Sequence, residues 1–433
     1  MTRPIVASTA AACLALAGAV VAAQGGGALP SCTPGNGGLT LPAGFCAVVV
    51  AENLGVGRHL TVAANGDIYV ALRNTQDARG AIVALRDTSG DGRADVRERI
   101  GAEGGTGIAL HNGYLYFAEN DSRIVRYRMT PGQLKPSGPR EVIATLPEQR
   151  SHAGKGLAFD GKGSVFVNVG APSNACQTDD RKEGVPGQTP CPLLEQAGTI
   201  WRFDANRTGQ TLTDGARRHA SGFRQMLAVA WHDGSLYLVQ HGRDQLDTLW
   251  PKVFTQQQNA ELPAEEFLRV TEGTTYAWPY CYYDWQQQKR VLMPEYGGDG
   301  KMEADCAKYP APLVGFPGHW APNALLFYTG TQFPEQYRGG AFIAFHGSWN
   351  RAPLPQGGYR VAFVPFRGGK VTGQWETFAD GFAGATPLAR PEDAVARPTG
   401  LAQGPDGSLY VSDSVKGTVW RIVHRGTAAT RSY

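Results

Sequence analysis

The sequence predicts an all-β fold, a six-bladed β-propeller with long loop insertions on its channel face. Three observations lead there. A glycine-turn-then-strand unit recurs six times, glycine (56) and proline (28) are abundant, and charged residues make up only 18% of the chain. Many short strands joined by tight turns produce that composition, whereas long amphipathic helices do not. At 433 residues the length alone suggests two or three domains, but a propeller of this size runs as one unit.

Residues 1–24 read as an export signal. Arg3 supplies a positive start, Ile5 to Ala22 is apolar and alanine-rich, and small residues at Ala22-Ala23 precede Gln24. The weak apolarity and the following Gly25-Gly26-Gly27 argue against a membrane anchor, and no later stretch is apolar enough to span a bilayer. Residues 25–433 are then the mature propeller domain, periplasmic or secreted. The formal charge of +3 is spread without basic runs, which excludes an electrostatic nucleic-acid footprint.

Beyond the signal lie six of the seven cysteines, an even number suited to an oxidising compartment. The simplest of their fifteen pairings is local: Cys32 with Cys46, Cys176 with Cys191, and Cys281 with Cys306. Each bridge would contribute about 3 kcal/mol in the chain-entropy account. No Cys-x-x-Cys occurs, which argues against thioredoxin chemistry, metal clusters and an attached haem.

The repeat itself runs through the chain in order. It opens at Ala64-Asn65-Gly66-Asp67-Ile68-Tyr69-Val70 and returns at His111-Asn112-Gly113-Tyr114-Leu115-Tyr116-Phe117. Further copies start at Asp160-Gly161, His232-Asp233-Gly234, Arg338-Gly339-Gly340 and Pro405-Asp406-Gly407, each entering an apolar strand. An Asx-Gly turn before alternating apolar residues signals a hairpin. Repeated hairpins must stack on one another to bury a face, and their uneven spacing favours blades over a solenoid. The largest insertions, between Val167 and Ile200 and between Leu249 and Phe342, are expected around the channel mouth.

Four residues stand at equivalent blade entrances: Arg58, His152, Arg224 and Arg397. Three guanidinium groups converging in a cleft require an anion, and an imidazole beside them suits proton abstraction. For any one of them an ordinary loop residue is the bland explanation; the repeated placement is what lowers it. The segment from His241 to Asp247 follows the fourth inner strand, and its carbonyls and carboxylates suit calcium. His346-Gly347-Ser348-Trp349-Asn350-Arg351 leaves the fifth inner strand, and Trp278 and Tyr280 offer rings that could stack on a sugar, although loop packing is the commoner use of such a run. Asp87, Ser89, Asp91, Asp95 and Glu98 match the oxygen-ligand spacing of an EF-hand loop, with Gly92 at its sixth position, but without flanking helices. This is read as a peripheral structural calcium site, with an acidic turn as the alternative. No Gly-x-Gly-x-x-Gly after a strand, P-loop or Gly-x-Ser-x-Gly elbow is present, so nucleotide, nicotinamide and serine-hydrolase chemistry gain no support.

At these residues the chain resembles the soluble glucose/sorbosone dehydrogenase family, including the pyranose dehydrogenases that use pyrroloquinoline quinone (PQQ). The markers are the His152 segment running on to Cys176, Gly222-Phe223-Arg224, His241-Gly242-Arg243-Asp244, Tyr276 to Cys281, and His346 to Arg351. The resemblance implies PQQ and calcium as cofactors, a sugar substrate, and an external electron acceptor such as a cytochrome. It implies His152 as general base and Arg224 beside the reactive quinone carbonyl. Arg58, Arg397, His346, Gln225, Trp349 and Arg351 join Arg224 in the implied cofactor-binding set, and the carbonyls of Gly242 and Arg243 match the calcium loop. Two departures from the glucose branch, Ala171 in place of an acidic residue and Gln225 in place of asparagine, favour the pyranose/sorbosone branch. The alternatives are a propeller that binds carbohydrate or protein without catalysis, and a calcium-dependent lactonase-type hydrolase.

Overall fold

The computed structural model describes residues 29–384 and 387–426; the expected signal segment, residues 1–24, lies outside them. Among the described residues, six four-stranded antiparallel sheets form the body of the fold, with two small two-stranded sheets beside them. The first strands of the six are Gly57–Val62, Gly105–His111, Leu157–Phe159, Gln225–His232, Pro322–Phe327 and Pro398–Gln403. These six pack each against the next in a closed ring that surrounds the channel. Phe45–Ala51 closes the ring as the outermost strand of the sixth blade, where Phe45 pairs with His424.

The repeated turn joins the first strand of a blade to its second. At Asn112-Gly113 and Asp233-Gly234 both central residues have positive φ (46° and 77°, 47° and 73°), the two-residue hairpin geometry that Asx-Gly favours. The apolar strand after each turn is therefore the second of its blade, one place outward from the expected inner position. Every second strand is apolar on both faces because both are covered. Successive residues point to opposite sides, so Tyr69 enters the cluster with the second blade while Val70 enters the cluster with the sixth. Six such clusters, one between each pair of neighbouring blades, make up most of the core.

The insertions are smaller than expected. The stretch after Leu249 contains the third and fourth strands of blade four, Glu265–Val270 and Val314–Phe316, and the first strand of blade five. What remains is residues 170–198, the loop 242–264 with its two short helices, and residues 271–313. The last segment climbs beside blade three, where Tyr276 N donates to Ser221 O at 2.7 Å and Trp278 N to Gly222 O at 3.0 Å. Its Trp278 and Tyr282 then pack with Cys176, Cys191, Leu246 and Phe254 into a separate apolar cluster. All three local disulfides are present. Among the described residues no helix is long and apolar enough to cross a membrane.

Candidate active site

An antiparallel hairpin sets the start of a blade's first strand beside the end of its second. Gln225 thus pairs with His241, Pro322 with Phe345, and Pro398 with Asp413. Residues that enter blades (Arg58, His152, Arg224, Arg397) consequently share one rim with residues that leave them (Arg73, His241, His346, Ser414). Hydrogen bonds knit the rim across blades. Arg397 Nη2 donates to Gly347 O at 2.7 Å and its Nε to His346 O at 3.1 Å, while His346 Nε2 lies 2.7 Å from Ser414 Oγ. His59 and His241 reach the carbonyls of Asn323 and Pro322 at 2.7 and 2.9 Å.

His152 sits on the rim in a left-handed backbone conformation, φ 52°. Its Nδ1 is 2.5 Å from Ala171 O. A carbonyl only accepts, so Nδ1 carries the hydrogen and Nε2 presents a lone pair. Burial, and after it the charge of Arg224, pushes the ring's pKa down to about 3, so it is neutral near pH 7. The residue that orients it is tied to Arg224 in turn, because Ala171 N donates to Arg224 O at 2.7 Å.

Arg224 is buried, with Nη2 2.5 Å from Asp244 Oδ2 and Nη1 donating to Gly242 O at 2.8 Å. Asp244 also meets Arg181 at 3.0 Å and His319 at 3.7 Å. Despite its burial, Arg224 and His319 hold its carboxyl well below the usual range. Glu265 lies beneath, accepting from Gly242 N at 2.9 Å and Ala321 N at 3.2 Å, and burial pushes it up to about 7. On the other side of the channel Arg58 is brought down to about 10, first by burial and then by Arg73, with Arg397 adding to the effect.

The Nε atoms of Arg58 and Arg224 are buried, and neither has a hydrogen-bond partner among the described residues. Buried guanidinium donors without acceptors are costly, and an anion with several oxygens in the channel would satisfy them. A polycarboxylate cofactor fits that demand. Calcium has a thinner donor set. Gly242 O already accepts from Arg224, and among the described residues no group of three or more His, Cys, Asp or Glu side chains converges. An ion here would lean on backbone carbonyls such as that of Arg243.

Residues 39–425 match the TrAA12-like family. The chain belongs to that family. Among curated proteins, one from Borreliella burgdorferi described as an uncharacterized protein is 24% identical over 292 residues, 66% of this chain and 64% of that one. The pyrroloquinoline quinone-dependent pyranose dehydrogenase of Coprinopsis cinerea is 29% identical over 175 residues, 34% of this chain and 22% of the enzyme. The alignments therefore span less than two thirds of either relative. The holo PQQ domain of the Coprinopsis cinerea pyranose dehydrogenase superposes with a TM-score of 0.70 at 18% identity, covering 89% of this chain and 97% of that one. A calcium structure of the Trichoderma reesei family AA12 protein superposes at 0.72 and 17% identity, over 89% and 97%. The PQQ-bound aldose sugar dehydrogenase of Streptomyces coelicolor gives 0.53 and 16%, over 88% and 100%. These likenesses establish that the fold is the one used by PQQ-dependent sugar dehydrogenases.

In this TrAA12-like chain several expected site residues have other employment. Arg351 is drawn away from the channel, its Nη2 2.7 Å from Glu261 Oε1 and its Nη1 on Ala260 O. Gln225 turns toward blade three, 3.4 Å from Asn168 Nδ2 and 3.5 Å from Gly154 O, and braces the His152 loop. Trp278 is 3% exposed with Nε1 on Asn174 O, so its ring has no open face for a sugar; Tyr280 is half-buried in the same insertion, its hydroxyl accepting from Cys191 N at 2.9 Å. Trp349 keeps an open face, 52% exposed at the rim. The Arg243 side chain is committed to Glu295 at 2.6 Å.

The EF-hand-like loop also closes on itself. Asp87 accepts from Gly90 N and Gly92 N (both 2.7 Å), Asp95 accepts from Thr88 and Ser89, and Asp91 from Arg93 N. Ser89 Oγ donates to Asp87, and Glu98 lies on a strand paired with Lys135 at 2.7 Å. The carboxylates of this loop thus accept hydrogen bonds from its own backbone and hydroxyl groups. Sequence reasoning did not reach Arg73, Glu265 or Asp121, the carboxylate whose charge partly offsets the effect of burial and Arg73 on Arg58. Arg73 follows the second strand of blade one, the same offset that singled out His346, so the repeat carried its signal; Glu265 lay hidden in what reads as insertion.

Proposed function

We propose that this TrAA12-like protein is an exported quinoprotein dehydrogenase that oxidises a sugar, with PQQ and calcium as cofactors and a separate electron acceptor. The observation that carries the reading is the meeting of arginines from different blades, two with orphaned Nε donors, beside a histidine whose Nε2 is free. Arg58, Arg224, Arg397 and His346 would hold the quinone, and the Gly242 and Arg243 carbonyls the calcium. PQQ, when bound, supplies the hydride acceptor. His152 Nε2 takes the proton of the sugar hydroxyl, and the Ala171 carbonyl steadies the imidazolium that results. The Arg224 charge, in a site of low dielectric, favours negative charge as it develops near the channel axis. Three disulfides support a periplasmic or extracellular location.

Reconstitution tests this. Purified protein given PQQ and calcium should show a quinone absorbance change and reduce a dye with some member of a sugar panel; neither response would remove the enzyme reading and leave a non-catalytic propeller. His152→Ala should retain the absorbance change and lose turnover.

A further inference from the structure

Lys155 is fully buried, yet no carboxylate pairs with it among the described ion pairs. A buried cation in that state is expensive, which asks what it holds. Its Nζ donates to Gln149 Oε1 at 2.9 Å and to Ala153 O, on the two sides of His152. Gln149 Nε2 donates onward to Gly170 O at 2.5 Å. Gly170 directly precedes Ala171, whose carbonyl receives the His152 Nδ1 hydrogen.

One ammonium therefore ties together the loop that carries the imidazole and the segment that orients it. A closer fit is enforced at Gly170, where a Cβ would come within 2.6 Å of His152 O and 2.8 Å of His152 Cβ. Asn168 closes the same loop from beneath, accepting from Gly156 N at 2.6 Å and donating to Gly154 O at 2.9 Å. The left-handed backbone at His152 needs such over-determination to persist. The nearest negative charge felt by Lys155 is Asp121, whose Oδ2 accepts from Thr106 and whose Oδ1 is buried without a partner.

We propose that Lys155, acting through Gln149, is the positioning residue of His152. It fixes the Nδ1–H tautomer by holding the 170–171 segment, and with it the Ala171 carbonyl, against that nitrogen. The inference rests on the reading of His152 as the base. Two variants test it: Lys155→Met removes the ammonium, and Gln149→Leu, at a partly exposed position, cuts the link while leaving Lys155 in place. Nitrogen-15 histidine spectra of the apo-protein should show His152 as a single Nδ1–H tautomer in the wild type and as an exchanging mixture in both variants. In protein reconstituted with PQQ and calcium, kcat should fall at least tenfold with KM for the sugar within twofold. An unchanged imidazole signal in Gln149→Leu, or a changed signal with wild-type kcat, overturns the proposal. If the wild-type protein reduces no dye with any sugar, the dehydrogenase reading fails by itself, and the apo-protein spectra alone decide the role of Lys155.

Discussion

Acidification from pH 7 to 5 should weaken the folded protein by several kcal/mol, because its channel histidines are held neutral. Burial is the first cause in each case. His152 is pushed down to about 3, His59 and His241 to about 4, and His346 lies well below its ordinary value, with Arg397 as the next contributor. Unfolding returns all four to about 6.5. Between about 6.5 and 4 the unfolded chain binds protons that the folded chain refuses, so stability is lost as pH falls through that window. Each such proton is worth about 1.4 kcal/mol per pH unit. Glu265 acts oppositely: pushed up to about 7 by burial, it takes its proton first in the folded state and offsets about one of the four. All four residues are only half-buried, and contact with water reduces the effect by roughly half. About 2 kcal/mol per pH unit near pH 5 remains. Urea unfolding at pH 7, 6 and 5 measures it. His59→Gln, which keeps a donor for Asn323 O while removing one titrating ring, should flatten the slope by about 0.7 kcal/mol per pH unit, half of one proton's worth. A urea midpoint that is level or rises on acidification would refute the assignment of neutral, buried imidazoles.

Arg397→Met should weaken PQQ binding at least tenfold by absorbance titration, whereas Arg351→Met, which breaks bonds to Glu261, Ala260 and Pro355, should leave quinone affinity near wild type. Trp278→Ala should cost about 3–5 kcal/mol in urea unfolding by emptying a buried site, with KM for the sugar unchanged in the folded fraction. Asp95→Asn should leave the calcium dependence of the melting temperature as in the wild type, since that carboxylate already serves Thr88 and Ser89; loss of a calcium response in this variant would restore the EF-hand reading.

Blade number, turn positions and the rim that carries Arg58, His152, Arg224 and Arg397 were legible in the sequence, because hairpin turns and strand patterns are local. The disulfides were legible for the same reason, each joining cysteines 14 to 25 positions apart. Partnership was not. Only the folded ring decided that Arg224 meets Asp244, that Arg351 turns to Glu261 and that Trp278 is buried, since those contacts join segments far apart in the chain. The bond from His152 to Ala171, and the lysine that braces it, depend on how two loops settle against each other. A spacing rule places a residue on the rim; which neighbour takes up its polar atoms is set by packing across blades.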